Sequence, residues 1–227
     1  MAMTHQTTLA EMMAQSRDVI TNPSVATFER YEKRGSIGTA GVYVLAGAVI
    51  AGLLAFLTVL LPGVRGNPFS TFVGGVTGAL INFVIFTGMI YYLGKSMANG
   101  TGSWDEVAYS FALFVAPLAV VSGALSFIMA LLGGIPVLGG LIGFTGAIAM
   151  IIVVLAQAYF GYLAVQSSMN IADTGKALLV LILAVIGTMA AQVLLAVFMG
   201  ILSGLLPLIL LVALVAVVAS MIMRRGR

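Results

Sequence analysis

The polar stretch at residues 91–106 holds the residue types in this chain that could do chemistry. It contains Gly94-Lys95-Ser96, which resembles the end of a phosphate-binding loop. Such a loop needs a glycine five positions earlier and a preceding strand, because backbone N–H groups of a strand-to-helix turn cradle the phosphates. Met89 stands at the required position, and an apolar helix is predicted before it. Nucleotide binding is therefore not expected here.

The neighbouring acids are better explained as a helix start than as a catalytic pair. Ser103 and Glu106 have the spacing of a capping box, and acids in a first turn face the positive end of the helix dipole. Trp104 suits the aromatic belt of a membrane interface. The functional alternative is a loop that docks a partner, formed by Gly102, Ser103, Trp104, Asp105, Glu106 and Lys176.

Other catalytic and metal-binding arrangements are missing from the sequence. The chain has no cysteine and one histidine, His5, so thiolate and imidazole sites are not expected. We find no paired carboxylates, no activated serine and no metal-ligand spacing. The net charge of +3 is too small to indicate a nucleic-acid partner. We expect a protein that is not an enzyme and that carries no cofactor or metal.

The composition defines the elements that must position these residues. Of 227 residues, 61% are hydrophobic and 7% are charged, whereas soluble domains carry about 25% charged residues. The lipid bilayer must therefore be the solvent for most of the chain. The apolar runs are continuous and do not alternate, which favours helices over a barrel. The predicted fold class is all-α, a polytopic transmembrane helical bundle.

Six spans are predicted, at residues 37–61, 69–93, 107–132, 141–165, 177–202 and 205–223. The last two form one apolar run, which as a single helix would be about 70 Å long, more than twice the roughly 30 Å hydrocarbon core. We therefore expect a turn at Ser203-Gly204 with Pro207. The alternative is five full spans followed by a short or re-entrant segment.

The basic residues favour the six-span arrangement. With six spans the two termini share a side, which then carries nine basic residues against Arg65 alone: Arg17, Arg30, Lys33, Arg34, Lys95, Lys176, Arg224, Arg225 and Arg227. With five spans, six basic residues would lie on one side of the membrane and four on the other. Since basic residues accumulate on the cytoplasmic side, we expect a multi-pass protein of the plasma (inner) membrane with both termini cytoplasmic.

The predicted organisation has an N-terminal segment at residues 1–36, the bundle at 37–223 and a basic tail at 224–227. Thr8 and Glu11 fit a capping box that starts a short cytoplasmic amphipathic helix. Its apolar stripe is Leu9, Met12, Met13, Val19 and Ile20, with Gln15 facing away. We expect Asn22 to cap a second short helix. Whether the first helix lies in the membrane interface or packs on the protein stays open.

No ionisable residue lies at the centre of a predicted span, which argues against proton pumps and ion-coupled carriers. The amides Asn82, Gln157 and Gln192 do occur there. They could bond between helices or could face the shared cavity of a small-solute channel or carrier. Pro117 is expected to kink the third span and to free a carbonyl near Leu113.

Four segments resemble the Yip family of Rab-interacting membrane proteins and their bacterial relatives. They are Asn22-Pro23 with Thr27-Phe28, Gly100-Thr101-Gly102-Ser103-Trp104, Tyr109-Ser110 with Pro117, and Asp173-Thr174-Gly175-Lys176-Ala177-Leu178. The resemblance covers roughly residues 20–200. Family members are usually described with five spans, so the sixth span departs from the pattern. The cytoplasmic tail of eukaryotic members is missing, so a Rab-type GTPase is not expected as a partner.

The resemblance implies a membrane fold and partner binding without an established activity for the bacterial-type members. We therefore expect an adaptor or scaffold that binds partners within the membrane and at its cytoplasmic face. The partner besides the bilayer is left open between a second copy and another membrane protein. The alternatives are a small-solute channel or carrier and an accessory subunit of a larger membrane complex.

Overall fold

The computed structural model describes residues 7–135 and 139–225, and these residues form seven helices without a strand. Five of them are long and apolar enough to cross a membrane. The expectations for His5 and Arg227 lie outside the described residues. In chain order the helices are α1 (Leu9–Thr21), α2 (Val25–Tyr31), α3 (Ile37–Val59), α4 (Pro68–Ala98), α5 (Trp104–Gly133), α6 (Gly139–Ser168) and α7 (Thr174–Arg225).

Local capping chemistry sets where the first helices begin. The Thr8–Glu11 capping box starts α1, as predicted. The cap of α2 is Ser24, whose side chain accepts a hydrogen bond from the N–H of Thr27, so the prediction that Asn22 caps this helix is wrong. Asn22 instead ends α1, because its own N–H donates to the carbonyl of Asp18. Ser36 then caps α3, which begins at the predicted residue, Ile37.

The chain divides into two compact units, Met1–Ile186 and Gly187–Arg227. In the first unit, small residues let α3 and α5 pack closely. A methyl group added at Gly47 would lie 2.8 Å from the carbonyl oxygen of Ala116, and one added at Gly123 would lie 3.1 Å from the Cα of Ala51. The α5 helix continues through Pro117. Close backbone approach is therefore what holds the α3–α5 pair.

The predicted turn at Ser203-Gly204 with Pro207 is not found, because α7 is one helix from Thr174 to Arg225. The hydroxyl of Ser203 donates to the carbonyl of Gly200 at 2.9 Å, as it does within a helix. In lipid, a continuing helix keeps backbone groups paired that a turn would leave unsatisfied, and Pro207 removes only one donor. The six-span count is therefore not confirmed.

The two N-terminal helices pack on the bundle as a cap, which we define as residues 7–36. Met12, Val19 and Phe28 are almost fully buried in the same core as α5 and α6. Gln15 is buried as well, against the expectation that it faces away, whereas Met13 is 65% exposed. The buried face of α1 is therefore Met12, Gln15, Ser16 and Val19, and it only partly overlaps the predicted apolar stripe. The difference arises because polar side chains of α1 form hydrogen bonds inside the bundle.

Candidate functional site

The loop between α4 and α5 lies at the capped end of the bundle, and the turn after α6 holds it in place. Asn99 ends α4 in the left-handed conformation, with φ of 55°. The N–H of Gly100 donates to the carbonyl of Gly94 at 2.8 Å, and the N–H of Thr101 donates to the carbonyl of Met169 at 3.0 Å. The loop and the turn at 169–173 therefore form one connected surface.

Two glycines of this loop are required by the closeness of the neighbouring backbone. A methyl group added at Gly102 would lie 1.6 Å from the carbonyl oxygen of Ser168, which belongs to the backbone and cannot move aside. At Gly100 the added methyl would lie 3.0 Å from the backbone carbonyl oxygen of Met169 and 3.1 Å from that of Gly94. The Gly-x-Gly pattern in this segment is therefore a packing requirement.

The start of α5 forms the predicted capping box, with Ser103 and Glu106 each accepting a hydrogen bond from the other's backbone N–H. Asp105 has a second role that the sequence did not indicate. Its Oδ1 accepts a hydrogen bond of 2.7 Å from the N–H of Ile37, at the start of α3. Asp105 thus joins the N-termini of α5 and α3, and Glu106 caps α5, the helix it belongs to. Both carboxylates lie where the positive end of a helix dipole favours negative charge.

Trp104 lies against α4 with part of its ring exposed. Its indole N–H donates to the hydroxyl of Thr87 at 3.3 Å, and its ring stacks on Tyr91 with centroids 6.5 Å apart. The Lys95 ammonium lies 5.7 Å from the centroid of Tyr91 and donates to the carbonyl of Thr101. Trp104 is 38% exposed and Tyr92 is 67% exposed. The site offers aromatic surface that is held in a fixed orientation.

Lys176 is exposed in the first turn of α7, the helix that follows the turn at 169–173. The carboxylate of Asp173 caps this helix by accepting a hydrogen bond of 3.0 Å from the N–H of Lys176. The structure therefore holds Gly100, Thr101 and Gly102 against Ser168 and Met169, and Lys176 follows Met169 by seven residues.

The three amides predicted for a shared cavity are all exposed. Asn82 on α4 and Gln157 on α6 are both exposed at the surface of the first unit. Gln192 is also exposed and belongs to the second unit. Within the described residues, no group of three or more His, Cys, Asp or Glu side chains could hold a metal ion.

Sequence reasoning missed the polar contacts beneath the cap. The hydroxyl of Tyr109 donates to Oε1 of Gln15 at 2.7 Å, and a hydrogen bond of 2.9 Å joins the hydroxyls of Ser16 and Tyr43. Each pair is separated by dozens of residues in the chain. No local pattern predicts such pairs, and the polar character of Gln15 and Ser16 indicated solvent exposure instead.

Glu32 is the third missed group and is 2% exposed at the end of α2. Its Oε2 accepts a hydrogen bond of 2.5 Å from the hydroxyl of Ser167, near the end of α6. Burial raises the pKa of this carboxyl above its usual value, while the hydrogen bond from Ser167 opposes the shift. In the sequence Glu32 lies in a run of charged residues, which is typical of solvated surface.

The fold and these contacts define a class: a multi-pass helical membrane protein whose connecting loops and N-terminal helices are packed together at one end. Its family follows from comparison with known proteins. The family model described as the Yip1 domain matches residues 17–195, and the chain belongs to this family, as the four segments predicted. Comparison with curated proteins and with solved structures gave no match.

Proposed function

We propose that this protein is a non-enzymatic scaffold of the plasma (inner) membrane that binds another membrane protein at its capped end. One observation carries the proposal: the segment around the loop is fixed by hydrogen bonds and backbone packing but leaves Tyr92, Met97 and Trp104 exposed. Exposed aromatic side chains that are already ordered lose little entropy on binding. Catalytic groups would instead converge on a cavity.

The charge distribution supports a cytoplasmic position for this end. Within the first unit, the basic residues near the cap and the two loops are Arg17, Arg30, Lys33, Arg34, Lys95 and Lys176, against Arg65 at the other end. If α7 crosses the membrane once, the three C-terminal arginines join Arg65, and the count is six basic residues against four. If the chain folds back, the count is nine against one, so the capped end carries the excess in both arrangements. Positive residues mark the cytoplasmic side.

Site-specific photo-crosslinking in native membranes tests the proposal. A photoreactive residue at Met97 should crosslink to a discrete membrane protein, and the crosslink should fall about tenfold with Trp104→Ala, the effect of losing one anchor side chain. The matched control is a photoreactive residue at Ile81, an exposed position on the apolar part of the same helix.

The outcomes separate the alternatives. Crosslinks from both positions to several subunits of one assembly would favour an accessory subunit. Crosslinks from position 97 to lipid alone, with the Trp104→Ala protein still inserted, would contradict the scaffold proposal. The channel or carrier alternative draws no support from Asn82 and Gln157, since both lie at the surface of the first unit.

A further inference from the structure

The cap meets the bundle through an interface that contains several buried polar contacts. Side-chain hydrogen bonds cross it from Gln15, Ser16 and Glu32 of the cap to Tyr109, Tyr43 and Ser167 of the bundle. All six residues are buried. Interfaces that open and close are more polar than permanent cores, because both faces must tolerate water when they separate. This interface has that composition.

The apolar part of the interface lies on both cap helices. Met12 and Val19 contribute from α1, and Phe28 of α2 meets the ring of Phe114 edge-on with centroids 6.2 Å apart. Glu32 adds the single ionisable side chain of the cap that is buried among the described residues.

The groups facing Glu32 leave its charge poorly compensated. The Ser167 hydroxyl on α6 donates a hydrogen bond to Glu32. The negative charges of Glu106 on α5 and of Glu29 raise the pKa of Glu32, and the positive charge of Lys33 lowers it. The Lys33 ammonium lies 4.0 Å away and its side chain is 70% exposed, so water screens it. Burial in this place therefore costs the carboxylate more than it costs the carboxylic acid.

We propose that Glu32 is a protonation-dependent latch, which holds the cap on the bundle when protonated and lets the cap open when ionised. The latch is built into the interface and needs no partner protein. When the cap opens, it uncovers Tyr43, Tyr109 and Phe114 at the capped end of the bundle.

The sign of the effect follows from the direction of the pKa shift. The pKa of Glu32 in the closed state lies above its ordinary value of 4.5, so the closed state binds the proton more tightly. The contribution of Glu32 to the stability of the closed cap is complete below its ordinary pKa. This contribution is lost as the pH rises through the pKa that Glu32 has in the closed state. Between the two pKa values the opening equilibrium should rise by up to about tenfold per pH unit and then level off.

A thiol-accessibility experiment tests this in the purified full-length chain in nanodiscs. The chain contains no cysteine, so Val19→Cys places one reporter beneath the cap, where Val19 is fully buried. Met13→Cys on the exposed face of the same helix gives the intrinsic pH dependence of labelling. The ratio of the two labelling rates then measures cap opening alone, and we expect it to rise with pH.

Two further variants decide the role of Glu32. In Glu32→Gln, which is neutral at every pH and keeps an oxygen for the Ser167 hydroxyl, the ratio should stay low and flat. In Glu29→Gln, the matched control on the same segment, the rise should persist. A flat ratio in the chain with Glu32 intact, or an unchanged rise in Glu32→Gln, would overturn the latch.

Hydrogen exchange of the α1 amides provides the same readout without a substitution in the interface, should Val19→Cys disturb packing. Protection of α1 should fall as pH rises, beyond the intrinsic change seen at the exposed turn 61–66, and Glu32→Gln should abolish the excess. Because the experiment contains no partner, its failure leaves the scaffold proposal intact, and loss of the crosslink at position 97 leaves the latch intact.

Discussion

At the residue scale, Gly102 shows how a segment that resembles a binding loop is fixed by packing. Its position against the backbone of Ser168 leaves no room for a side chain. The neighbouring hydrogen bond from Thr101 to Met169 sets the same spacing. The glycines thus position the loop, and the exposed ring of Trp104 is what the loop presents.

Replacing Gly102 with alanine should destabilise the protein by about 1–3 kcal/mol or more, because the backbone must shift to admit the methyl group. The measurement is the thermal unfolding midpoint in detergent. Gly74→Ala on α4, where an added methyl meets nothing within 4 Å, is the matched control and should be neutral or stabilising by up to about 1 kcal/mol. Equal midpoints for the two variants would refute the packing requirement.

A second residue-scale prediction concerns Asp18, whose pKa is lowered by hydrogen bonds from Tyr31 and Asn22 and by the charge of Arg30. A lowered pKa means that its contribution to joining α1 and α2 is present above pH 3.8 and is lost as the pH falls through the pKa of the folded state. Asp18→Asn should remove this acid sensitivity in circular dichroism melts. A melting curve for Asp18→Asn with the parent's acid dependence would contradict it.

The role of a residue could be predicted from the sequence where its partner lies nearby in the chain. It could not be predicted where the partner lies far away in the chain. Ser103 and Glu106 could be assigned because both partners of a capping box lie within one turn. The pairing of Glu32 with Ser167 spans 135 residues, and nothing in either neighbourhood indicates the other. Trp104 falls between these cases: an interfacial position was predictable, but its bond to Thr87 was not.

At the element scale, the cap depends on a small number of apolar side chains. Phe28→Ala should weaken closure by about 3–5 kcal/mol, because it removes a fully buried ring that packs on Phe114. Limited proteolysis in the cap should then become much faster. Phe69→Ala, at a position that is 70% exposed, should leave proteolysis unchanged, and a similar acceleration in both variants would show that Phe28 has no special role.

The spans themselves were predictable because lipid demands long apolar helices. The start of α3 at Ile37 agrees with the sequence, and α4, α5 and α6 differ from the predicted spans by a few residues at their ends. The helices run further because polar residues at the interface continue the hydrogen-bonded turns. The orientation of α1 was not predictable, since it depends on Tyr43 and Tyr109, which the sequence does not place beside it.

At the scale of the whole molecule, α7 decides the number of crossings. As one helix from Thr174 to Arg225, it should cross the membrane once, so that Arg225→Cys is labelled from the side that labels Arg65→Cys. Ser96→Cys, next to the loop before α5, should be labelled from the opposite side. Membrane-impermeant thiol reagents applied to intact and opened cells provide the measurement, and labelling of positions 96 and 225 from one side would restore the six-span arrangement.

The cap has a consequence for how the protein is made. Residues 7–36 leave the ribosome well before the side chains that receive them, which lie on α3, α5 and α6, and the last of these, Ser167, follows Glu32 by 135 residues. At about 5–20 residues per second, the segment must wait on the order of ten seconds before its binding surface exists. During that interval Met12, Val19 and Phe28 are unprotected, so a chaperone could hold this segment while the bundle is being made.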